Sequence, residues 1–403
     1  MTPSATGMRL AASLALIAIL GPSAIDMYLA SLPHMAQELS TSYAQVQLTL
    51  TVFLLAVGAG QLLFGPVVDA YGRRRPLLAG VLAFIVAALW AASVSSIGML
   101  LAARLLQGLA AALTLVVAMS TVRDVAEGPR AAQLFALLMT IEGLAPVLAP
   151  ALGGQVDAHY GWRGVMLLLA GLGLLALLNS LVNLPETLPV EKRLPLTPGR
   201  VLRGYRRILA DRNFLIPALA LTAVFFFLFA YIGGAALVYQ KQYGLAPDTF
   251  GLVFGVTGIA VLLGAMTCSR LVERVGVAPL AVAGVVAMVI GAAVSALAAV
   301  LGVGLALVAT GMFIALFGLG IAESTLMSLA MASQREALGS TAALLGGLPL
   351  SVSALATPLA GSLAEQGASA WCMFLAGFSL LVLLLARASA RRAPADAISL
   401  AGH

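Results

Sequence analysis

Apolar runs of about twenty residues or more recur from one end of this 403-residue chain to the other. A membrane-spanning helix needs roughly 20 mostly apolar residues. Hydrophobic residues make up 61% of the sequence and charged ones only 9%, where a soluble domain carries about 25% charged residues. No soluble core hides that much apolar surface, so lipid must be the solvent. Twelve spans are predicted, at about 8–32, 45–68, 76–95, 97–121, 131–155, 162–184, 213–238, 249–272, 277–300, 303–330, 338–364 and 369–388. The runs are long and continuous, which fits helices rather than the ten-residue alternations of a β-barrel. The first run has the look of a signal peptide. Because the same pattern continues to the end, it is read as an uncleaved helix.

Connections are short except at residues 185–212, which hold Pro185, Pro189, Pro195, Pro198 and a cluster of Arg. This segment reads as a polar linker between two six-helix halves, 1–184 and 213–403. With a cytoplasmic N-terminus, all but three of the 22 Lys and Arg residues fall in inside loops or at inside ends. The exceptions are Arg163 and Lys241 outside and Arg104 within a span. This bias predicts that both termini are cytoplasmic. It also accounts for the basic pI of about 9.7 as a topology signal, so nucleic acid is not an expected partner. The cysteines Cys268 and Cys372 lie in apolar segments without metal-ligand spacing, and no metal or cofactor site is expected.

Four ionisable residues sit well inside the spans: Asp26, Arg104, Glu142 and Glu323. A charge at mid-bilayer costs about 2.5–3.5 kcal/mol even on the lenient scale, so such residues usually face a cavity or a partner. At about 1.5 Å per residue, Asp26 and Arg104 are both expected roughly 10 Å below the outer surface. For Glu142 two readings stand: a second proton site or substrate contact, or a protonated acid bonded to a backbone carbonyl. For Glu323, beside Ser324 and Thr325, cavity lining and packing stand equally. In "VFFFLFAYIGG" (224–234) consecutive rings cannot share one face. Tyr231 is the better candidate for a cavity, because its hydroxyl wants a partner and Gly233-Gly234 permit a bend. Phe226 belongs to the same aromatic group, and Met27 and Tyr28 flank Asp26. His34 is expected at the outer surface and given no role. Asn179 and Asn183 read as helix–helix glue.

In "GPVVDAYGRRR" (65–75), Gly65 is expected to let helix 2 approach a neighbour closely. Asp69 can pair with Arg73 one turn on, with Gly72 between them. A similar pattern, Ser269 to Gly276 with Glu273 at the acid position, recurs at one constant offset, and "APALGG" (149–154) is echoed by "TPLAG" (357–361). In "GLAPVLAPALGG" (143–154), Pro146 and Pro150 each remove a backbone donor, and Gly153 and Gly154 remove bulk. A kinked, closely packed helix is expected.

These stretches carry a resemblance that spans the whole chain. "IDMYLASLP" (25–33), "GPVVDAYGRRR", "RLLQGLAAAL" (104–113) and "GLAPVLAPALGG" resemble the first-helix, loop 2–3, fourth-helix and fifth-helix motifs of major facilitator drug:proton antiporters of the Bcr/CflA type, which include chloramphenicol and florfenicol exporters. "RDVAEGPR" (123–130) and "LPET" (184–187) are further echoes. Three positions depart from the pattern: Ala30, Ala70 and Ala145. The resemblance implies a major facilitator fold in a bacterial inner membrane. It implies a cytoplasmic latch of Gly65, Asp69, Gly72 and Arg73. It further implies that the fifth-helix motif of Pro146, Pro150, Gly153 and Gly154 belongs with export. In that fold helices 1 and 4 line the cavity, so Asp26 and Arg104 are expected to pair, with protonation of Asp26 releasing Arg104. The alternative is a static buried ion pair. Asp26, Arg104 and Glu142 are the proton-coupling candidates. Asp26, Tyr28, Glu142, Phe226, Tyr231 and Glu323 are the substrate candidates.

The functional expectation is therefore a monomeric exporter that exchanges protons, the coupling ion in place of any cofactor, for an amphipathic small molecule. Phenicols come first, from the resemblance alone. No P-loop is present to use ATP, and no catalytic constellation occurs in any span. Export of a metabolite or metallophore is the alternative, with proton-coupled uptake a third reading.

Overall fold

The computed structural model describes residues 3–126, 128–193, 195–334 and 338–392. Within them, eleven helical stretches are long and apolar enough to cross a membrane. One of these, Gly143–Asn183, has 41 residues, about 60 Å at 1.5 Å per residue, twice the thickness of a hydrocarbon core. It belongs to a longer stretch, Gly128–Asn183, that contains one non-helical residue, Gly161, with φ 66°. A left-handed φ is cheap only for glycine. Gly161 is thus the hairpin between two spans, and the described residues hold twelve.

The spans are α1 (Leu10–Glu38), α2 (Tyr43–Tyr71), α3 (Arg74–Ser93) and α4 (Ile97–Val125). Next come α5 (128–160) and α6 (162–183), on either side of Gly161. The second half has α7 (Arg212–Leu237), α8 (Pro247–Val275), α9 (Val277–Leu301), α10 (Leu305–Ala332), α11 (Gly339–Gln366) and α12 (Ala368–Ala390). Local signals set several starts. Ser42 and Gln45 form a capping box at α2, Ser96 accepts from Met99 N at α4, and Asp211 accepts from Asn213 N at α7; each satisfies an orphan donor.

One span departs from expectation. Helix 1 is expected to end near residue 32, but α1 runs to Glu38 in three pieces. A helix Leu20–Asp26 is followed by a turn at Met27–Tyr28, a 3₁₀ turn Leu29–Ser31 and a new helix Leu32–Glu38. Pro33 stands in the first turn of the last piece, where its missing N–H costs nothing. In helix 5 both prolines lie inside the span, with helical dihedrals through Pro146 and Pro150.

Glycine-to-backbone contact joins the halves. Along α5 and α8, a Cβ on Gly251 would lie 2.2 Å from the Pro150 carbonyl oxygen, and one on Gly258 2.8 Å from that of Pro146. Across α2 and α11, a Cβ on Gly58 would lie 2.6 Å from the Gly347 oxygen. Inside the first half, one on Gly153 of α5 would sit 1.7 Å from the Met27 oxygen of α1. Van der Waals fit of this kind replaces the hydrophobic effect between helices in lipid. Polar ties add to it: Asn179 Nδ2 of α6 donates to Ser13 Oγ of α1 at 2.7 Å.

The linker is more ordered than its polar sequence suggests. Residues Pro198–Ala210 form a helix. Its Tyr205 Oη donates to the Leu62 carbonyl of α2 at 3.0 Å. Pro66, four residues on, has no N–H to give that carbonyl. Tyr205 supplies the missing donor.

Packing this tight predicts unequal glycine tolerance. Gly153→Ala forces α5 off α1 and is expected to cost about 1–3 kcal/mol. No atom lies within 4 Å of a Cβ on Gly65, and Gly65→Ala is expected to be neutral or slightly stabilising. Melting of the purified variants in detergent checks the contrast; equal midpoints would refute it.

Candidate substrate and coupling site

Arg104 of α4 is fully buried. Its Nη2 donates to the Ala24 carbonyl of α1 at 2.8 Å and its Nη1 to Gln107 Oε1 at 2.6 Å. The guanidinium lies between the rings of Tyr28 (4.4 Å to the centroid) and Phe53 of α2 (4.2 Å), a cation–π sandwich that gains strength where water is excluded. Tyr28 is anchored in turn by its hydroxyl, 3.1 Å from Thr49 Oγ1 of α2. Arg104 Nε and Gln107 Nε2 are buried without partners.

The expected Asp26–Arg104 pair is absent among the described residues. Helix geometry explains this. Ala24 and Tyr28, four apart, share the face toward α4, whereas Asp26 is about 200° further round the helix. The ladder also ends at Asp26, which leaves the Ala24 carbonyl free to take the arginine. Asp26 is buried at 4% exposure with no hydrogen bond or ion pair recorded for its carboxylate.

The other candidates do not gather around it. The Glu142 side chain lies outside the described residues, though its helix is placed. Glu323 of α10 is half-buried, and the neighbouring Ser324 and Thr325 spend their hydroxyls on the Gly320 and Ile321 carbonyls of their own helix. Tyr231 is buried rather than cavity-lining. Its Oη is 2.8 Å from Thr257 Oγ1, and its ring stacks on Phe254 and Trp371. Gly233-Gly234 serve close approach to Thr357 and Trp371 instead of a bend; the irregularity in α7 comes later, as a π turn at Val238–Gln242. Phe226 stacks on Phe378 of α12.

Sequence reasoning missed the seal between the halves at one end of the bundle. Tyr43, Gln47 and Thr51 follow one another at four-residue spacing on α2. Tyr43 Oη (3.1 Å) and Gln47 Nε2 (2.8 Å) both donate to the Gly233 carbonyl of α7. Thr51 Oγ1 meets Thr357 Oγ1 of α11 at 2.7 Å. Gln240 Nε2 of the π turn donates to the Ala30 carbonyl of α1 at 2.9 Å. Above this seal opens a vestibule of ≈ 430 Å³ lined by His34, Tyr43, Gln240, Lys241 and Glu365, among others. His34, given no role from sequence, holds Asp157 of α5 at 3.0 Å.

The opposite end is charged. Arg73 Nη1 donates to Asp69 at 2.7 Å, and its Nε to Asp124 of α4 at 2.7 Å. Glu186, just past α6, accepts from the backbone N–H of Arg73 (2.8 Å), Arg74 (3.4 Å) and Leu188 (3.1 Å), and lies 3.6 Å from Arg193. Gly72 makes room for it: φ is +88°, and a Cβ would fall 2.4 Å from Glu186 Oε2. Burial opposes ionisation of Glu186, but the three N–H donors and Arg193 outweigh it and hold the carboxyl below the usual 4.5. Burial likewise opposes the charge on Arg73, and Asp124 and Asp69 outweigh it, raising its pKa. Gly65 takes no part through close approach, since open space faces it. Asp124 and Glu186 lie within motifs quoted above, but only the fold brings them to Arg73.

A twelve-helix bundle, joined across its halves by glycine contacts and sealed at one end by neutral hydrogen bonds, is the architecture of a membrane transporter. The family model of the Major Facilitator Superfamily matches residues 14–348, and the chain belongs to that family. It is 37% identical over 356 residues to the uncharacterized MFS-type transporter YdgK of Bacillus subtilis, covering 88% of this chain and 89% of the relative. It is 34% identical over 263 residues to a chloramphenicol resistance protein of Pseudomonas aeruginosa, covering 65% of this chain and 61% of the relative. It is 30% identical to a bicyclomycin resistance protein homolog of Haemophilus influenzae, covering 66% of each. Among solved structures, a bacterial homolog of the human lysosomal transporter Spinster, in an inward-facing and unoccupied conformation, superposes with TM-score 0.75 at 14% identity over 98% of both chains. A D-xylose–proton symporter gives 0.72 at 15% identity over 94% of this chain and 97% of the other. At such identity these two show the fold alone. The family is one of transporters, not enzymes.

The Glu186 arrangement has a pH signature. A carboxyl with a depressed folded-state pKa stabilises above the unfolded value and loses that contribution as pH falls through the folded one. Glu186→Gln is expected to lower stability at pH 7 by on the order of 1 kcal/mol, and its gap from wild type to shrink below about pH 4.5. Melting curves from pH 7 to pH 3.5 test this; a gap independent of pH would overturn the assignment.

Proposed function

We propose that the chain is a proton-coupled exporter of amphipathic small molecules, of the drug-efflux kind. In this reading it works as a monomer in a bacterial inner membrane with both termini cytoplasmic. One observation carries the coupling: a fully buried guanidinium is held by a neutral carbonyl, Ala24 O, while an unpaired carboxyl, Asp26, stands two residues along the same short helix. Ionised Asp26 attracts Arg104 and neutral Asp26 does not, so the proton decides between the carboxylate and the Ala24 carbonyl as partner. The segment Leu20–Asp26 gives way on its C-terminal side to a turn and a 3₁₀ turn. That end can therefore shift without unwinding the helix Leu32–Glu38 beyond it.

Alternating access follows from joining this switch to the two ends. The hydrogen bonds of Tyr43, Gln47 and Gln240 hold the outer side shut in the state described here. Turning of α1 moves the Ala30 carbonyl to which Gln240 donates, so reorganisation around Asp26 reaches the seal along the same helix. The resistance-protein names of two relatives support export of antibiotic-like compounds, and phenicols are the first to try.

Everted membrane vesicles with an imposed pH gradient test the reading. Wild-type protein is expected to accumulate a phenicol or a fluorescent drug inside the vesicles. Asp26→Asn is expected to lower gradient-driven accumulation at least tenfold with membrane expression unchanged. Arg104→Lys, which keeps the charge but loses the fork and the stacking, is expected to do comparable harm. Gradient-driven export at the wild-type rate by Asp26→Asn would refute the coupling role, and accumulation in right-side-out vesicles would reverse the direction.

A further inference from the structure

The linker helix Pro198–Ala210 leaves one face without a protein partner. Ile208 is buried, and Val201, Tyr205 and Leu209 are half-buried, all turned toward the bundle. The opposite stripe, at helical spacing, is exposed: Leu202, Arg203, Arg206 and Arg207. Among the described residues none of these three arginines has an acidic partner. The nearby acids are engaged or point elsewhere in sequence. Asp211 accepts from Asn213 N and from Gln334 Nε2, Glu186 is bound as described above, and Glu191 is exposed on the preceding turn. Arg203 Nε caps the Gly199 carbonyl of its own helix, which leaves its terminal nitrogens free.

Depth supplies a second observation. Tyr205 reaches Leu62, which lies seven residues before Asp69, roughly 10 Å toward the bilayer centre along α2 at about 1.5 Å per residue. Asp69 and Arg73 mark the aqueous end of α2. A helix whose buried face touches Leu62 therefore lies at the level of lipid headgroups rather than out in the cytosol. Beside its contact, Leu63 of α2 is 63% exposed and Leu202 of the linker 59% exposed. Apolar surface and unpaired arginines on one helix at that level match an acyl–headgroup boundary.

We propose that the Arg203–Arg206–Arg207 face is a docking surface for the anionic phospholipid headgroups of the cytoplasmic leaflet, and that lipid bound there keeps Tyr205 on the carbonyl that Pro66 leaves free. Leu62 also packs against Gly347 of α11, so the docked helix bears on the contact between the halves. Leaflet charge becomes a regulator of transport. The inference rests on the cytoplasmic placement of the linker in the reading above; the binding test does not, because in a detergent micelle both ends of the protein are open to added lipid.

The full-length protein, purified in a neutral detergent, is titrated with phosphatidylglycerol or phosphatidylcholine, and bound lipid is counted by native mass spectrometry. Three unpaired arginines are expected to give phosphatidylglycerol a preference of about tenfold or more, falling as salt is raised. The triple change Arg203→Gln, Arg206→Gln, Arg207→Gln is expected to bring the ratio close to one, and the triple Arg→Lys variant to retain it. Tyr205→Phe is expected to bind phosphatidylglycerol as wild type does, yet to lose its stimulation of transport in reconstituted vesicles. Equal binding of the two lipids by wild type, or an undiminished preference in the Gln variant, overturns the proposal. Displacement of the lipid by millimolar inorganic phosphate would identify a soluble-anion site and overturn it equally. Should the Gln variant fail to fold, the salt dependence of wild type and the Lys variant decide.

Discussion

In hydrocarbon a backbone carbonyl has no water to fall back on, and leaving one unsatisfied costs several kcal/mol. Continuous helices meet that constraint by themselves; proline and helix breaks do not. The positions where this chain departs from regular helix are where one part of the molecule takes hold of another. The end of the Leu20–Asp26 helix frees the Ala24 carbonyl, and Arg104 takes it. Pro66 frees the Leu62 carbonyl, and the linker takes it through Tyr205. Pro150 cannot donate to the Pro146 carbonyl, which lies against the bare Cα of Gly258 across the interface between the halves. The Ala30 carbonyl, in the interrupted outer part of α1, receives Gln240. Each irregularity works as a docking point because the carbonyl it exposes must be answered.

The same constraint sets how charge is distributed. At the end of the bundle that bears Arg73, where water is near, carboxylates and guanidinia are used freely: Asp69, Asp124 and Glu186 surround its loop. At the opposite seal the buried contacts across the halves are neutral amides, hydroxyls and carbonyls. Such bonds are worth about 0.5–1.5 kcal/mol each net. A handful of them holds a gate shut and still leaves the open state within reach of the few kcal/mol that a proton or a substrate supplies. Arg104, a fully buried charge, is kept by aromatic faces and a carbonyl rather than by an acid. An acid would fix it in place. A neutral cradle holds the guanidinium and leaves it open to competition.

Much of the fold was legible because lipid imposes a simple code. Span length, and the break between the fifth and sixth spans, follow from composition along the chain. The Asp69–Arg73 contact follows from four-residue spacing within one helix. Legibility fails where a reading depends on a face that an irregularity rotates. Asp26 and Arg104 are matched by depth alone, whereas Ala24 and Tyr28 occupy the face turned to α4 and Asp26 does not. Gly65 has the right neighbours in sequence and open space in the fold. The Tyr43–Gln47–Thr51 stripe passed unnoticed because uncharged polar residues cost little in a span and give no strong signal; only their meeting with Gly233 and Thr357 gives them meaning. Asp124 and Glu186 needed three separate chain segments to converge on Arg73.

A transporter has to be firm within each half and loose between halves, and the distribution of contacts follows that division. Gly153 lies so close to Met27 that α1 and α5 cannot slide without moving together, so a change at Asp26 is transmitted to α5. The far face of α5 meets α8 through Pro146, Pro150 and the glycines opposite, a seam that is largely backbone on backbone, with the Leu262 side chain of α8 seated over Gly143. Rigid transmission ends at a surface suited to rocking. The prolines and glycines of the fifth helix therefore smooth the side that meets the other half.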